Sequence, residues 1–137
     1  MTKPAIPSAI REQVVDRAQG KCEYCLIHQD FSIYTHEIDH IIAQKHGGKT
    51  TLENLALSCL SCNRHKGSDL TSIDPMTGEI TPLFNPRIQN WNEHFKIENG
   101  YIIGITPHGR TTVFLLAINT PNRVFNRQAL ISQKLYP

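Results

Sequence analysis

The sequence predicts an α+β fold in which a small strand–loop–strand–helix module, stapled by a four-cysteine metal site, precedes a second α+β segment. Two Cys-x-x-Cys pairs, Cys22–Cys25 and Cys59–Cys62, bracket short stretches that have the β-branched and apolar character of strands. Helical apolar spacing comes before the first pair, and an Asn99-Gly100 turn signal follows the second. The chain of 137 residues is long enough for one module plus an extension, which we place at 1–68 and 69–137.

The first half predicts helix, strand, loop, strand and helix in that order. An apolar residue at every fourth position, between a capping serine and a glycine, predicts a helix over Ser8–Ala18. Rough alternation predicts a strand over Thr35–His40, and a glycine pair marks Gln44–Thr51 as a loop. The short apolar stretch Leu55–Ser58 fits a second strand. A second helix is expected over Cys62–Lys66, ending near the glycine that follows.

The second half predicts a hairpin and two helices. Asp74–Gly78 is a turn, and the prolines within Thr81–Arg87 make that stretch irregular. Strands over His94–Ile97 and Tyr101–Thr106 meet across the Asn-Gly turn. A short buried helix, capped by one of two leading threonines, is expected within Thr111–Ile118. A threonine followed by a first-turn proline opens the last helix, towards the end of the chain.

The composition describes a protein without membrane spans. Hydrophobic residues make up 39% of the chain and charged residues 19%. The longest apolar run, Val113–Ile118, has six residues and is far too short to cross a bilayer. The N-terminal Met1–Pro7 has no apolar signal core, so we expect a cytoplasmic protein with reduced thiols and no membrane partner.

The charge distribution gives a weak indication of nucleic-acid binding. A net charge of +2 creates no global field. The segment from Ile105 to the end, however, carries four basic residues and no acidic one. Arg123 and Arg127 lie one turn apart on the last predicted helix and could contact DNA phosphates. A solvated helix face is the alternative for these arginines.

The two cysteine pairs predict a structural zinc site. Zinc binds four thiolates in a tetrahedron, and each Cys-x-x-Cys knuckle supplies two at the usual spacing. Thirty-three residues separate Cys25 from Cys59, so the metal would join the end of the first helix to the start of the second. A redox dithiol is the alternative, but no βαβ pattern surrounds the pairs.

Four polar residues near the cysteines suit metal-assisted hydrolysis of a phosphodiester. His40 can act as a base, because imidazole titrates near neutral pH. Asp39 and Asn63 offer hard oxygen ligands to Mg²⁺ or Mn²⁺, and the amide of Asn54 can fix the loop that orients His40. Glu37, on the same strand face as Asp39, could assist the cation or be solvated. Further basic residues near the loop and helix are candidate DNA contacts: Lys45, Lys49, Arg64 and Lys66.

These segments resemble the HNH nuclease motif in its four-cysteine form. The matching elements are Asp39-His40-Ile-Ile, Gly47-Gly48, Asn54-Leu and the run Cys59–Lys66, within roughly Lys21–Gly67. The resemblance implies a ββα-metal fold and metal-dependent cleavage of DNA that leaves a 5′-phosphate. It also implies that His40 activates water, that Asp39 and Asn63 hold the cation, and that Asn54 positions His40.

Asn63 stands where the nominal motif has its last histidine. Its amide has less affinity for transition metals than imidazole, so hard cations should be preferred and bound more weakly. A zinc-stapled DNA-binding module without hydrolysis and a redox or metal-buffer protein are the alternatives. A single active site cuts one strand, so double-strand cleavage would need a homodimer or two encounters by a monomer.

Overall fold

The computed structural model describes residues 6–137, and within this range five helices and six strands form an α+β fold. The helices are α1 (Ser8–Ala18), α2 (Leu60–Lys66), α3 (Trp91–His94), α4 (Pro107–Leu115) and α5 (Pro121–Ser132). The strands are β1 (Glu37–His40), β2 (Leu55–Ser58), β3 (Thr71–Ile73), β4 (Ile80–Pro82), β5 (Phe95–Glu98) and β6 (Tyr101–Gly104). They pair in sequence order as three antiparallel two-stranded sheets. The predicted fold class is confirmed. Residues 1–5 lie outside this range. They include the predicted start of the first module and most of the N-terminal segment on which the cytoplasmic prediction rests.

The hairpin of β1 and β2 forms the strand pair of the predicted module. Strand β2 has the predicted bounds, and all four of its residues are buried. Strand β1 begins two residues later than predicted because its first residue, Glu37, pairs with Ser58 at the end of β2. After Ser58 the chain turns into α2 at Cys59, which leaves no partner strand for the residues ahead of Glu37.

Helix α2 starts earlier than predicted because a cysteine caps it. The Sγ atom of Cys59 accepts a hydrogen bond from the backbone N–H of Cys62 at 3.4 Å. The helix therefore begins at Leu60 rather than at Cys62. It ends at Gly67 as predicted, where the positive φ of 52° suits glycine.

Helix α1 has the predicted bounds but not the predicted cap. Its N-terminus lies at Pro7, whose carbonyl accepts the Arg11 N–H, so the prediction that Ser8 caps the helix is wrong. Buried Val14 packs against Leu55 and Leu57 of β2. The guanidinium of Arg17 donates to the carbonyls of Leu52 and Leu55, at 2.9 and 2.6 Å. The helix thus packs against β2, the buried strand of the hairpin.

Only the first two residues of the stretch Thr81–Arg87 that was predicted to be irregular lie in a strand, because β4 pairs with β3 across the predicted Asp74–Gly78 turn. The carboxylate of Asp74 is fully buried and receives two hydrogen bonds from Arg110 of α4, at 2.8 and 3.1 Å. This bidentate pair ties the turn to helix α4.

Among the remaining elements, the short helix α3 was not predicted, and β5, β6 and α4 differ from their predicted bounds. The β5–β6 hairpin turns at Asn99-Gly100 as predicted. Helix α4 begins earlier than predicted, because Thr106 caps it by accepting the Gly109 N–H at 3.1 Å. Thr111 and Thr112, the predicted caps, are buried inside the helix. Helix α5 opens at Pro121 as predicted.

The two halves of the chain share one apolar core. The core cluster contains the four cysteines and Tyr24 from the first half, and it continues into Phe84, Phe95, Ile102 and Leu116 from the second. The indole N–H of Trp91 also donates to the Tyr24 carbonyl at 2.9 Å. Segment 69–137 therefore packs directly on the cysteine knuckles. Within residues 6–137, no helix has the length and apolar character needed to span a bilayer.

Candidate functional site

The four cysteines converge into a compact cluster. Their Sγ atoms all lie within 4.8 Å of one another, all four residues are buried, and none is in a disulfide. The sulfurs of Cys25 and Cys59 are 3.7 Å apart. A tetrahedral zinc ion with Zn–S bonds of about 2.3 Å separates its sulfurs by about 3.8 Å. The cluster therefore has the ligand type, number and spacing of a zinc site.

Each knuckle holds its sulfurs in the same way. The N–H of Cys25 points at the Cys22 sulfur at 3.5 Å, as the N–H of Cys62 points at that of Cys59. Hydrogen bonding with Cys22 lowers the pKa of both Cys25 and Cys59, whereas burial raises the pKa of Cys22 and Cys62. A bound cation would favour the thiolate form of all four sulfurs.

Arg123 contacts this cluster rather than the protein surface. Its Nη2 donates to the Cys62 sulfur at 2.9 Å and lies 3.8 Å from that of Cys59. Its Nη1 donates to the carbonyls of Leu116 and Ala117. Burial disfavours the charged guanidinium, but the thiolates outweigh burial and raise the pKa of Arg123. The predicted DNA contact is thus corrected to a counter-charge for the sulfurs.

Arg127 is also placed differently from the prediction. Its side chain is 2% exposed and donates to the carbonyls of Gly100 and Ile118 and to the side-chain oxygen of Asn119, at 2.7 to 3.0 Å. A guanidinium committed to the interior does not reach a phosphate. Arg127 joins α5 to the β5–β6 turn, and its predicted DNA contact does not fit the structure.

Asp39 lies in a buried polar contact between β1, α2 and the first knuckle. Its Oδ2 accepts a hydrogen bond from Tyr24 Oη at 2.8 Å. Lys66 Nζ lies 3.2 Å from Oδ2 and 3.3 Å from Oδ1, and it also donates to the carbonyls of His40 and Ile41. Burial raises the pKa of Asp39, and the charge of Lys66 and the bond from Tyr24 oppose that rise.

Lys66 is therefore not a surface residue. Its side chain is 2% exposed, and its ammonium is surrounded by Asp39 and the backbone carbonyls at the end of β1. The prediction that Lys66 contacts DNA does not fit this burial. Lys66 instead places its positive charge beside Asp39, the carboxylate that was predicted to bind the catalytic cation.

Asn63 faces the same side of β1, one residue after the last cysteine. Its Nδ2 donates to Glu37 Oε1 at 2.8 Å, which leaves the amide oxygen as the atom that could bind a cation. Arg64 contacts the other oxygen of Glu37 at 3.5 Å. The carboxylates of Glu37 and Asp39 share one strand face, and α2 contacts both of them, Glu37 through Asn63 and Asp39 through Lys66. These oxygen donors are of the type that Mg²⁺ and Mn²⁺ prefer.

His40 ends β1 beside the loop that follows it. The ring is half-buried, and its Nε2 lies 2.9 Å from Thr50 Oγ1. Asn54 spans the base of this loop. Its Nδ2 donates to the carbonyls of Ile42 and Lys49, and its Oδ1 accepts the Ile42 N–H, all at 2.9 Å. These bonds fix the backbone that follows His40.

A glycine permits this loop closure. A Cβ at Gly48 would lie 1.7 Å from the Ile42 carbonyl oxygen and 2.9 Å from Asn54 Nδ2. Any side chain there would displace the loop from Asn54. The glycine pair noted in the sequence is thus required by close approach as well as by the turn.

The other predicted DNA contacts remain on the surface. Lys45 and Lys49 are exposed on the loop after β1, and Arg64 is exposed on α2. The sequence did not point to two residues that shape the site, Tyr24 and Thr50, and it placed Lys66 at the surface. Tyr24 carried the clearest signal, because it lies between two candidate zinc ligands.

Comparison with known proteins agrees with this geometry. A family model described as HNH endonuclease matches residues 22–69, which include both cysteine pairs, the β1–β2 hairpin and α2. The chain is also 28% identical over 134 residues to the Septu protein PtuB of Bacillus thuringiensis. That alignment covers 96% of this chain and 48% of the relative, so the chain spans about half the relative's length. The resemblance found in the sequence is confirmed: residues 22–69 match the model of the HNH endonuclease family.

Proposed function

We propose that this protein is a metal-dependent endonuclease that hydrolyses DNA phosphodiester bonds. The observation that supports the proposal is the packing of α2 against β1: Asn63 contacts Glu37, and Lys66 contacts Asp39, which directly precedes the base candidate His40. The HNH domain over residues 22–69 supports nuclease chemistry and DNA as the substrate. Similarity to the relative extends over nearly the whole chain, so we treat 69–137 as part of the same unit.

His40 takes the role of the general base. Its imidazole can accept a proton from a water molecule at neutral pH, which makes the water a nucleophile towards phosphorus. The Thr50 hydroxyl at Nε2 restrains the ring, and the Asn54 bonds restrain the loop behind it. A base whose ring and backbone are both restrained needs less rearrangement to reach the water.

The oxygens of Asp39 and Asn63 would hold the catalytic Mg²⁺ or Mn²⁺. When bound, such a cation stabilises the charge that develops on the phosphate and the leaving oxygen. Lys66 neutralises Asp39 in this structure, at distances of 3.2 and 3.3 Å. A divalent cation at Asp39 would have to displace this ammonium, which also donates to the carbonyls of His40 and Ile41.

The four cysteines would hold a structural zinc ion that takes no part in the chemistry. The ion would join the knuckle after α1 to the N-terminus of α2, two elements that are far apart in sequence. Asn63 directly follows the ligand position Cys62. The zinc would therefore fix the place of the helix that presents Asn63 to β1.

A zinc-stapled DNA-binding module without hydrolysis is a second candidate. The observation in its favour is the buried pair of Asp39 and Lys66, each less than 5% exposed. A paired and buried carboxylate can serve structure alone. Exposed Lys45, Lys49 and Arg64 would serve either function, because phosphate contacts give affinity without chemistry.

The two candidates predict different results with supercoiled plasmid. The zinc-loaded protein is expected to convert it to nicked or linear forms when Mg²⁺ or Mn²⁺ is added. Zinc alone should not support cutting, and chelation of the added cation should stop it. A folded, zinc-loaded protein that shifts the plasmid on a gel but leaves it uncut with either cation would favour the non-catalytic module.

A further inference from the structure

A tyrosine inside the first zinc knuckle contacts the carboxylate assigned to the catalytic cation. Tyr24 lies between Cys22 and Cys25, its side chain is 1% exposed, and its Oη donates to Asp39 Oδ2 at 2.8 Å. We propose that Tyr24 is a positioning residue that orients Asp39 for binding of the catalytic cation. The inference rests on the proposed function, and it gives the first knuckle a direct role at the active site.

The hydroxyl of Tyr24 is delivered from a rigid segment. The Trp91 indole donates to the Tyr24 carbonyl at 2.9 Å. The neighbouring Glu23 forms two bonds with Leu57 of β2: its N–H donates to the Leu57 carbonyl, and its Oε2 accepts the Leu57 N–H, both at 2.8 Å. The knuckle is thus joined to the same hairpin that carries Asp39. Its tyrosine has little freedom to move relative to that carboxylate.

The bond from Tyr24 determines which oxygen of Asp39 can exchange partners. A carboxylate at the end of a short side chain can rotate about its last bond. Tyr24 contacts Oδ2, whereas Lys66 lies almost equally far from both oxygens. With Oδ2 held by a neutral donor, Oδ1 is the oxygen that can leave Lys66 for a divalent cation. Without the hydroxyl, the carboxylate is expected to turn fully towards the ammonium.

The groups that hold a metal ligand commonly matter nearly as much as the ligand itself. Loss of such a partner typically costs about 10–100-fold in metal affinity or activity. Tyr24 also fills core volume, so its ring must be kept when the hydroxyl is removed. Tyr24→Phe makes this change without opening a cavity.

Tyr136 provides a matched control on the same knuckle. Its Oη donates to the Cys25 carbonyl at 2.7 Å, and its side chain is also buried. Tyr136→Phe therefore deletes a buried hydroxyl that anchors the knuckle but whose bond goes to the backbone rather than to Asp39. Any general loosening of the zinc site should appear in both variants.

The test is Mn²⁺ binding to the zinc-loaded, full-length chain, followed by electron paramagnetic resonance. We expect Tyr24→Phe to raise the Kd for Mn²⁺ by about 10–100-fold and Tyr136→Phe to leave it within about threefold of wild type. Replacing Tyr24 with 4-aminophenylalanine, which restores a donor, is expected to recover most of the affinity. Zinc content and thermal unfolding are measured on every variant.

Three outcomes would overturn the role of Tyr24. The first is wild-type Mn²⁺ affinity in a folded Tyr24→Phe protein, and the second is an equal loss of Mn²⁺ affinity in both phenylalanine variants. The third is failure of Tyr24→Phe alone to fold with zinc, which would make the hydroxyl structural. Failure of the proposed function looks different, because the wild-type protein itself would then bind no Mn²⁺ and leave plasmid uncut.

Discussion

Removing the metal from the four-cysteine site is expected to unfold the chain cooperatively rather than to loosen one loop. The sulfurs lie at the centre of the core cluster that joins both halves, beside Phe84, Phe95 and Leu116. Structural zinc binding is worth about 10–16 kcal/mol in small zinc domains. Native domains are stable by only about 5–15 kcal/mol, so this loss is comparable to the whole usual margin.

Electrostatics adds to that loss. Without a metal, the four sulfurs must be protonated or share the guanidinium of Arg123, which contacts the Cys62 sulfur. We therefore expect one zinc per chain in the purified protein, and loss of the thermal transition in a strong chelator or in Cys62→Ser. Added zinc should restore the transition of the chelated wild-type protein.

A neighbouring residue serves as the control for Cys62→Ser. Ser61 occupies the same first turn of α2 but is not one of the four clustered residues, so Ser61→Ala should keep both zinc and wild-type unfolding. A protein that is purified without zinc, melts at the same temperature in chelator and has four titratable thiols would contradict the zinc site. That result would favour the redox or metal-buffer alternative.

Replacing His40 with alanine is expected to reduce the rate of DNA cleavage by about 10²–10⁴-fold, the usual contribution of a general base. Stability should change little, because the ring is half-buried and contacts Thr50 in a loop rather than the core clusters. Zinc content and the melting temperature should therefore stay close to wild type. The measurement is the initial rate of plasmid nicking with saturating Mg²⁺.

His65→Ala is the matched comparison for His40→Ala. His65 lies in the same domain, on α2, but it is exposed and its Nδ1 contacts the Ser61 carbonyl of its own helix. We expect His65→Ala to cut at the wild-type rate. Cleavage by His40→Ala within a few-fold of wild type would show that another group activates the water.

Local patterns predicted the parts of the site that depend on local geometry. Each Cys-x-x-Cys knuckle places two sulfurs through its own turn, so the cluster of four cysteines could be inferred without the tertiary fold. The same holds for one contact of Asn54, whose amide donates a hydrogen bond to the Lys49 carbonyl, five residues earlier in the same loop. The loop glycines were also recognised as a turn, although the close approach at Gly48 needed the structure.

The buried basic residues could not be predicted in this way. Lys66, Arg123 and Arg127 were expected at the surface, because long charged side chains are rarely buried unless they are paired. Their partners come from distant segments: Asp39 for Lys66, and the Cys62 sulfur for Arg123. A counter-charge that lies 61 residues away leaves no local pattern in the sequence.

Two errors in the second half have different causes. Strands β3 and β4 have three residues each and are largely exposed, so they lack the apolar alternation that marks a strand. The start of α4 could have been predicted. Thr106-Pro107 has the same form as Thr120-Pro121, which correctly predicted the start of α5.

The central claim is that the face between β1 and α2 holds a hard divalent cation distinct from the zinc. Crystals soaked in Mn²⁺ and measured at the manganese absorption edge test it most directly. We expect an anomalous peak bonded to Asp39 and the Asn63 side-chain oxygen, with Lys66 moved away from the carboxylate and zinc among the four cysteines. A map in which Lys66 still contacts Asp39 and no manganese lies on this face would contradict the claim.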